Sequence, residues 1–388
     1  MPERTNVLVV NDSMNLGGAE RVAVDIANSL DRDRFGVTFC STRSGGPLVD
    51  VLAPDVAHVS LGRTATWDLR KVLTFRQLVR DREIDLIHSH GRGTMKFIAL
   101  SRVLGAVDLP HVFHDHFGWL HVNRSAPRGL REAIQRGVDD YLGVDQRLCD
   151  WAVAAAGLPA ERVHLVRSGV DVDRFTDVEP LDLRREFGLP DDTVVFVMVA
   201  NFRPQKDHPT LFRALATLSE AERARCSVVV VGSTTADPEY FAGCSSMAAD
   251  LGVDELLTIA GPRDDLPEVL RGADAGLVTS KNETGPLVVL EYMASALPFV
   301  ATDTGEITRQ VRGTGVGWTP APRDAHEVGD AIRELLDLSP DERRAVGARG
   351  RAAVEATYDQ RIVTATIESI YDRMLERVLT PDGVGKST

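Results

Sequence analysis

The chain has 388 residues, 43% hydrophobic and 26% charged, with a formal charge of 44 − 57 = −13. That length accommodates two domains with full hydrophobic cores, and the negative balance argues against nucleic acid or an anionic membrane as a general partner. No apolar run approaches the roughly 20 residues of a spanning helix, and four cysteines without a CxxC pair fit a reducing cytoplasm. Six residues precede Val7 and lead directly into a strand-like run, so no signal peptide is expected.

In chain order, Asn6–Val10 reads as a short buried strand. After a loop holding Asn15, the pair Gly17-Gly18 opens a helix with apolar residues at 19, 22, 23, 26, 27 and 30. Two glycines ahead of a helix let a ligand approach backbone N–H groups, although glycine content alone fits a plain turn equally well. Ile84–His90 and Leu109–His116 read as two further strands, and six of the ten histidines fall between His88 and His121. That density raises a metal site, but the chain offers no HExxH pattern and no cysteine pair to complete one, and no tightly bound metal or other cofactor is expected. Arg124, Arg128, Arg131 and Arg136 lie among Glu132, Asp139 and Asp140, which favours a solvated helix face or an acceptor-loop role over a membrane patch. Polar and aromatic residues in the loops 11–20, 60–70 and 112–130, among them Trp67, His116, Phe117 and Trp119, can stack on a sugar or an aglycone.

The stretch Thr176–Pro190 reads as an interdomain linker, with the boundary near residue 180. Val194–Ala200 is a buried strand running into Asn201-Phe-Arg203-Pro-Gln-Lys206-Asp-His208, then a helix. In an open α/β sheet, ligands bind at the carboxyl ends of the strands, so Arg203 and Lys206 are placed to neutralise a diphosphate. By residue type alone such a pair is more often solvated. Val228–Gly232 and Ile259–Gly261 give two more strand ends, and Asp274–Ser280 another. Glu283 and Glu291 then stand eight positions apart around Pro286 and Leu287, where a helix begins whose free N–H groups and positive end favour anions. Phe299–Gly305 is a last strand and turn, and a final helix carries Ile362, Ala365, Ile367, Ile370, Tyr371 and Leu375. The tail Gly383–Thr388 lacks the upstream glycine of a phosphate-binding loop and reads as a disordered terminus.

Together these motifs resemble the retaining glycosyltransferases of family 4, the group 1 glycosyltransferases of GT-B fold. The resemblance implies an α/β architecture of two Rossmann-like domains facing each other across a cleft: 1–178 binding acceptor, 179–360 binding nucleotide sugar, and 361–388 crossing back onto the first domain before a flexible tail. It implies that Glu283 contacts the donor sugar, that Glu291 contacts the ribose, and that Arg203 and Lys206 bind the diphosphate. Gly232, Gly261, Thr284, Gly285, Pro286 and Leu287 complete the donor site, and Gly17 and Gly18 reach towards its phosphate. His116, six positions after Pro110, corresponds to the histidine near the reacting centre, while His114 stands where the family usually has Thr. Asn15, His114 and Trp119 are the acceptor candidates. Thr284-Gly285 replaces the family's Gly-aromatic pair, Ser168 its usual Asn, Asp145 a common Ser, and Glu306 with Arg309 a Gly and Glu. The activity implied is transfer of a sugar from a nucleotide diphosphate sugar, UDP favoured, to a hydroxyl of a glycan, a lipid-linked acceptor or a small molecule in the cytoplasm. A homodimer and peripheral membrane contact are compatible with it. The rival readings are a GT-B nucleotide-sugar epimerase and a non-catalytic sugar-nucleotide sensor; a dehydrogenase is disfavoured because no G-x-G-x-x-G follows the first strand.

Overall fold

The computed structural model describes residues 4–65, 68–116 and 125–379. Two compact units emerge: 1–169 with 360–388, and 170–359. The first contains strands β1 (Thr5–Ser13), β2 (Phe35–Ser44), β3 (Ala57–Ser60), β4 (Leu86–His90), β5 (His111–Asp115), β6 (Asp140–Gly143) and β7 (Val163–Leu165), in the spatial order β3-β2-β1-β4-β5-β6-β7. The second contains β8 (Val194–Val199), β9 (Cys226–Val231), β10 (Leu257–Gly261), β11 (Ala275–Val278) and β12 (Phe299–Ala301), ordered β10-β9-β8-β11-β12. Every strand pair is parallel. Helical crossovers cover both faces of such sheets, which explains why VVFVMV in β8 and CSVVVV in β9 are nearly continuous apolar runs.

In each sheet the chain starts centrally, winds to one edge and then returns to build the other. The reversal leaves a crevice outside the carboxyl ends of two neighbouring strands, β1 and β4 in the first sheet and β8 and β11 in the second. Helix Gly18–Ser29 buries Val22, Ala23, Val24, Ile26 and Ala27, on the stripe that the apolar spacing predicts.

Three sequence expectations need correction. The boundary lies at Gly169 rather than near 180, because Val170, Val172 and Phe175 enter the core of the second unit. The supposed linker holds a short helix, Leu183–Phe187, whose first residue is buried in that same core. The last helix, Gln360–Leu379, does pack within the first unit, but through Val363, Ile367, Ile370, Tyr371 and Met374, while Ile362 is exposed. Arg34 anchors it by pairing with Glu368 at 3.0 Å and Asp372 at 2.7 Å.

Candidate active site

At the carboxyl end of β8 the chain makes one turn of 3-10 helix, Pro204–Lys206, and then Asp207 adopts the left-handed conformation, φ 52°, to start helix His208–Ala216. Non-glycine residues hold that conformation only where surroundings fix it. Here Asp207 is buried, its Oδ2 accepts from Thr210 Oγ1 at 2.8 Å, and Lys281 lies 3.4 Å from its other oxygen. The turn is stitched to the loop after β11: Lys281 N donates to Gln205 O at 2.9 Å, Gln205 Nε2 to Asn282 O at 3.0 Å, and Thr279 Oγ1 to Lys206 O at 3.2 Å.

These bonds hold Lys206 Nζ 2.7 Å from Glu283 Oε1, with the side chains 30% and 14% exposed. Arg203 is exposed one turn earlier and makes no ion pair among the described residues. Beyond Glu283, Thr284 and Gly285 are half-buried and Pro286 caps helix Leu287–Ala294, one position outside the helix rather than in its first turn. Glu291 lies half-buried in the second turn of this helix. The third loop, after β12, closes in as Glu306 N donates to Thr284 O at 2.8 Å and Thr302 Oγ1 to Ser280 O at 2.7 Å. Gly305 permits this approach, since a Cβ there would stand 2.9 Å from Thr284 O. On the other side, Gly232 N donates to Gly261 O at 2.9 Å, and a Cβ on Gly232 would lie 2.2 Å from Ala200 O. Two cations, a carboxylate and a helix N-terminus are thus gathered at one switch point, an arrangement whose charge could neutralise an anion such as a diphosphate and whose carboxylate could accept from hydroxyls.

The first unit gathers different chemistry at its carboxyl edge. Asn15 is exposed and Gly17 caps helix Gly18–Ser29 in an extended conformation. His88, His90 and His114 are fully buried, and His116 follows them on the same face of β4 and β5. His90 Nδ1 and His116 Nε2 are 3.1 Å apart, and the His114 and His116 rings stack with centroids 4.5 Å apart. Burial pushes the His116 imidazole down to about 4, with Asp115 pulling the other way, and holds His90 and His114 well below the usual histidine range. Asp115 accepts from Arg92 at 2.9 Å and from Tyr141 OH at 2.8 Å. Beside them lies a cavity of ≈ 1090 Å³ lined by Gly91, Arg92, Lys96, Asp115, His116 and Leu130 among others.

The family description "Glycosyl transferases group 1" matches residues 181–353, and "Glycosyltransferase Family 4" matches residues 16–174. The chain belongs to glycosyltransferase family 4. A D-inositol 3-phosphate glycosyltransferase of Thermobispora bispora is 28% identical over 82% of this chain and 78% of its own length; one from Mycobacterium sp. (strain JLS) is 32% identical over 70% and 62%. Among solved structures, Anabaena HepE in complex with UDP and glucose superposes with TM-score 0.82 at 20% identity, covering 95% of this chain and 100% of that one. A sucrose-phosphate synthase from Thermosynechococcus elongatus gives 0.79 at 18%, over 96% and 100%. These similarities place the chain in the GT-B fold, and its reaction is glycosyl transfer to an acceptor.

Within this family 4 glycosyltransferase, the structure brings Arg203, Lys206, Glu283, Thr284, Gly285, Pro286, Leu287 and Glu291 to one sheet edge, with Gly232 and Gly261 at its flank. Trp119, Phe117, Trp67 and Arg124 lie outside the described residues, as does the tail from 380. Arg128 is 93% exposed and pairs with Glu132 along a helix face, which fits the solvated reading of the arginine cluster. Glu306, set down in sequence as a departure from the family, is buried and bound to Arg309 at 2.9 Å and Gln310 at 3.1 Å. Asp145, another of the departures, caps helix Gln146–Ala154 and pairs with Arg147 at 2.6 Å. Sequence reasoning missed Arg63, whose fully buried guanidinium donates to Asp12 at 2.6 Å and lies over the Phe97 ring. A lone arginine in a loop carries no signal of burial. No helix among the described residues is long and apolar enough to cross a membrane.

Proposed function

We propose that the chain takes a sugar from a UDP-sugar with retention of anomeric configuration and delivers it to a hydroxyl of a phosphorylated polyol or a related small acceptor. The observation that carries this reading is the Lys206–Glu283 pair at the β8/β11 switch point, with Arg203 beside it. As the bond from the anomeric carbon to the diphosphate oxygen breaks, the electron pair leaves with UDP and positive charge grows on the ring. Lys206, Arg203 and the N-terminus of Leu287–Ala294 stabilise the departing phosphate, the kind of electrostatic effect that usually dominates catalysis. Lys206 is already charge-paired, so donor binding exchanges one carboxylate for phosphate oxygens and frees Glu283 to accept from the sugar hydroxyls. The acceptor oxygen attacks the same face, and its proton passes to the departing phosphate oxygen, which retains configuration without a carboxylate nucleophile.

In this reading Glu291 holds the ribose, and Gly232 and Gly261 leave room for the base beside their backbone groups. Within the first unit, Asn15, Gly17, Gly18 and His114 are the acceptor-side candidates, together with His116, which lines the cavity. His116, held neutral by burial, can accept from or donate to a sugar hydroxyl without a charge to solvate. UDP is favoured because HepE is described with UDP and glucose, and D-inositol 3-phosphate is the first acceptor to try because relatives are named for it.

Calorimetric titration with UDP, GDP, ADP and dTDP, repeated on Lys206→Ala, tests the donor site. Preference for UDP that disappears in the variant supports the assignment; no binding to any of the four would sink it. Product NMR then reads the anomeric coupling, and an inverted product would refute retention. Sugar change without an acceptor would point to an epimerase instead.

A further inference from the structure

The histidine cluster of the first unit extends beyond the acceptor role. His88 and His90 alternate on one face of β4, and the parallel register sets His114 of β5 opposite His90. One ring nitrogen from each of the three lies within 4.8 Å of the other two. His88 Nδ1 shares a hydrogen bond with Tyr371 OH at 2.6 Å, and His90 Nδ1 shares one with His116 Nε2 at 3.1 Å. The Nε2 atoms of both rings are buried and make no hydrogen bond among the described residues. Neither nitrogen of the fully buried His114 makes one either, although the Val166 backbone comes near enough to favour its protonated form slightly.

This pattern is how ligating histidines are built: the nitrogen away from the ion is fixed by a partner, and the other is left free. With Nδ1 as the donor on His88 and His90, their two Nε2 lone pairs and one on His114 are buried without a partner in the same three-ring cluster. A water molecule has two hydrogens and satisfies two of them; a cation accepts all three. We infer that His88, His90 and His114 bind a single divalent transition-metal ion of the zinc type, with a fourth position open to water. Zinc–imidazole bonds of about 2.0–2.1 Å in tetrahedral geometry need nitrogens roughly 3.4 Å apart, so the three rings, each with a nitrogen within 4.8 Å of the others, draw closer around the ion. Such an ion ties β4 to β5 directly beneath His116 and, through Tyr371, to the last helix. It departs from the sequence expectation of no bound metal, which rested on spacing along one segment and could not see ligands converging from two strands.

The test uses the full chain without a polyhistidine tag, stripped with chelator and titrated with Zn²⁺ and Co²⁺. The expected result is one ion per chain by elemental analysis after dialysis, a tetrahedral cobalt d–d spectrum, and a higher melting temperature with zinc than with chelator. His114→Thr is expected to lose the ion and the spectrum while keeping its circular dichroism. Less than about a tenth of an ion per chain after zinc loading, or equal loading in a folded His114→Thr, would overturn the site. Should His114→Thr fail to fold, the titration of the unmodified chain decides: a stoichiometric tetrahedral cobalt spectrum sustains the site, and its absence overturns it.

Discussion

The carboxyl edges of the two sheets solve different electrostatic problems. The second keeps its ions in reach of solvent: Lys206 and Glu283 are 30% and 14% exposed, and Arg203 is exposed outright. The first buries imidazoles that stay neutral and guanidinium–carboxylate pairs, among them Arg63–Asp12, in which the arginine side chain is wholly enclosed, and Arg92–Asp115, in which the carboxylate is. A half-solvated ion pair is cheap to break and can be exchanged for a ligand's phosphate, because water screens both partners during the exchange. A buried neutral ring or enclosed pair cannot be exchanged that way and serves to hold geometry. The contrast teaches that charge which must be handed to a substrate sits where water can replace it, and polarity that fixes a shape sits where water cannot.

The largest effect expected from this contrast is on Lys206→Ala. Losing one preorganised cation at the leaving phosphate should lower turnover about 10²–10³-fold, with little change in melting temperature; near-normal turnover would break the comparison at its functional end. Acid stability comes next. Burial against Phe202, at 4.1 Å between ring centroids, pushes the His208 imidazole down to about 4. The unfolded chain, with its histidine near 6.5, binds more protons between those values, so stability is full above about 6.5 and falls as pH drops towards 4, by up to about 3 kcal/mol from this group. His208→Phe should remove this group's share of the slope of a stability–pH curve measured by denaturant titration, the buried histidines of the first unit supplying the rest, and an unchanged slope would show that His208 makes no contribution.

Arg63→Met probes the enclosed pair of the first unit. It leaves Asp12 with only Thr42 Oγ1, at 2.6 Å, and the weak 4.0 Å approach of Arg43, and it should cost about 2 kcal/mol in unfolding free energy, less than a fully buried pair because Asp12 is a third exposed. A shift in donor affinity instead of stability would mean the pair is exchangeable after all. Smallest is Tyr371→Phe, which removes one hydrogen bond from His88 and should cost about 1 kcal/mol, read as a lower melting temperature with UDP binding unchanged.

Much of the β8/β11 edge was legible in the chain. Arg203 and Lys206 follow an apolar run too uniform to be anything but a buried strand, and Glu283 with Pro286 announces the next loop and helix, so their order along parallel strands already predicts a shared edge. The first unit was legible as strands and helices only. His88 and His90 are 24 or more positions from His114 along the chain, and nothing local says that β4 and β5 are neighbours in register; the same holds for Arg63 and Asp12. The linker was misread because Leu183 is one apolar residue among charges and prolines, and its burial depends on a core formed by distant segments.

By itself the sequence determined the alternation of strand and helix, the crossover topology that alternation forces, and the order of the polar loops at the β8/β11 edge, since periodicity and turn chemistry act over a few residues. Only the tertiary structure decided which histidines meet, which arginine is enclosed, where the first unit ends and which face of the last helix is covered. Those depend on register and packing between segments far apart in the chain, where the energy of a contact is set by neighbours that local sequence does not name.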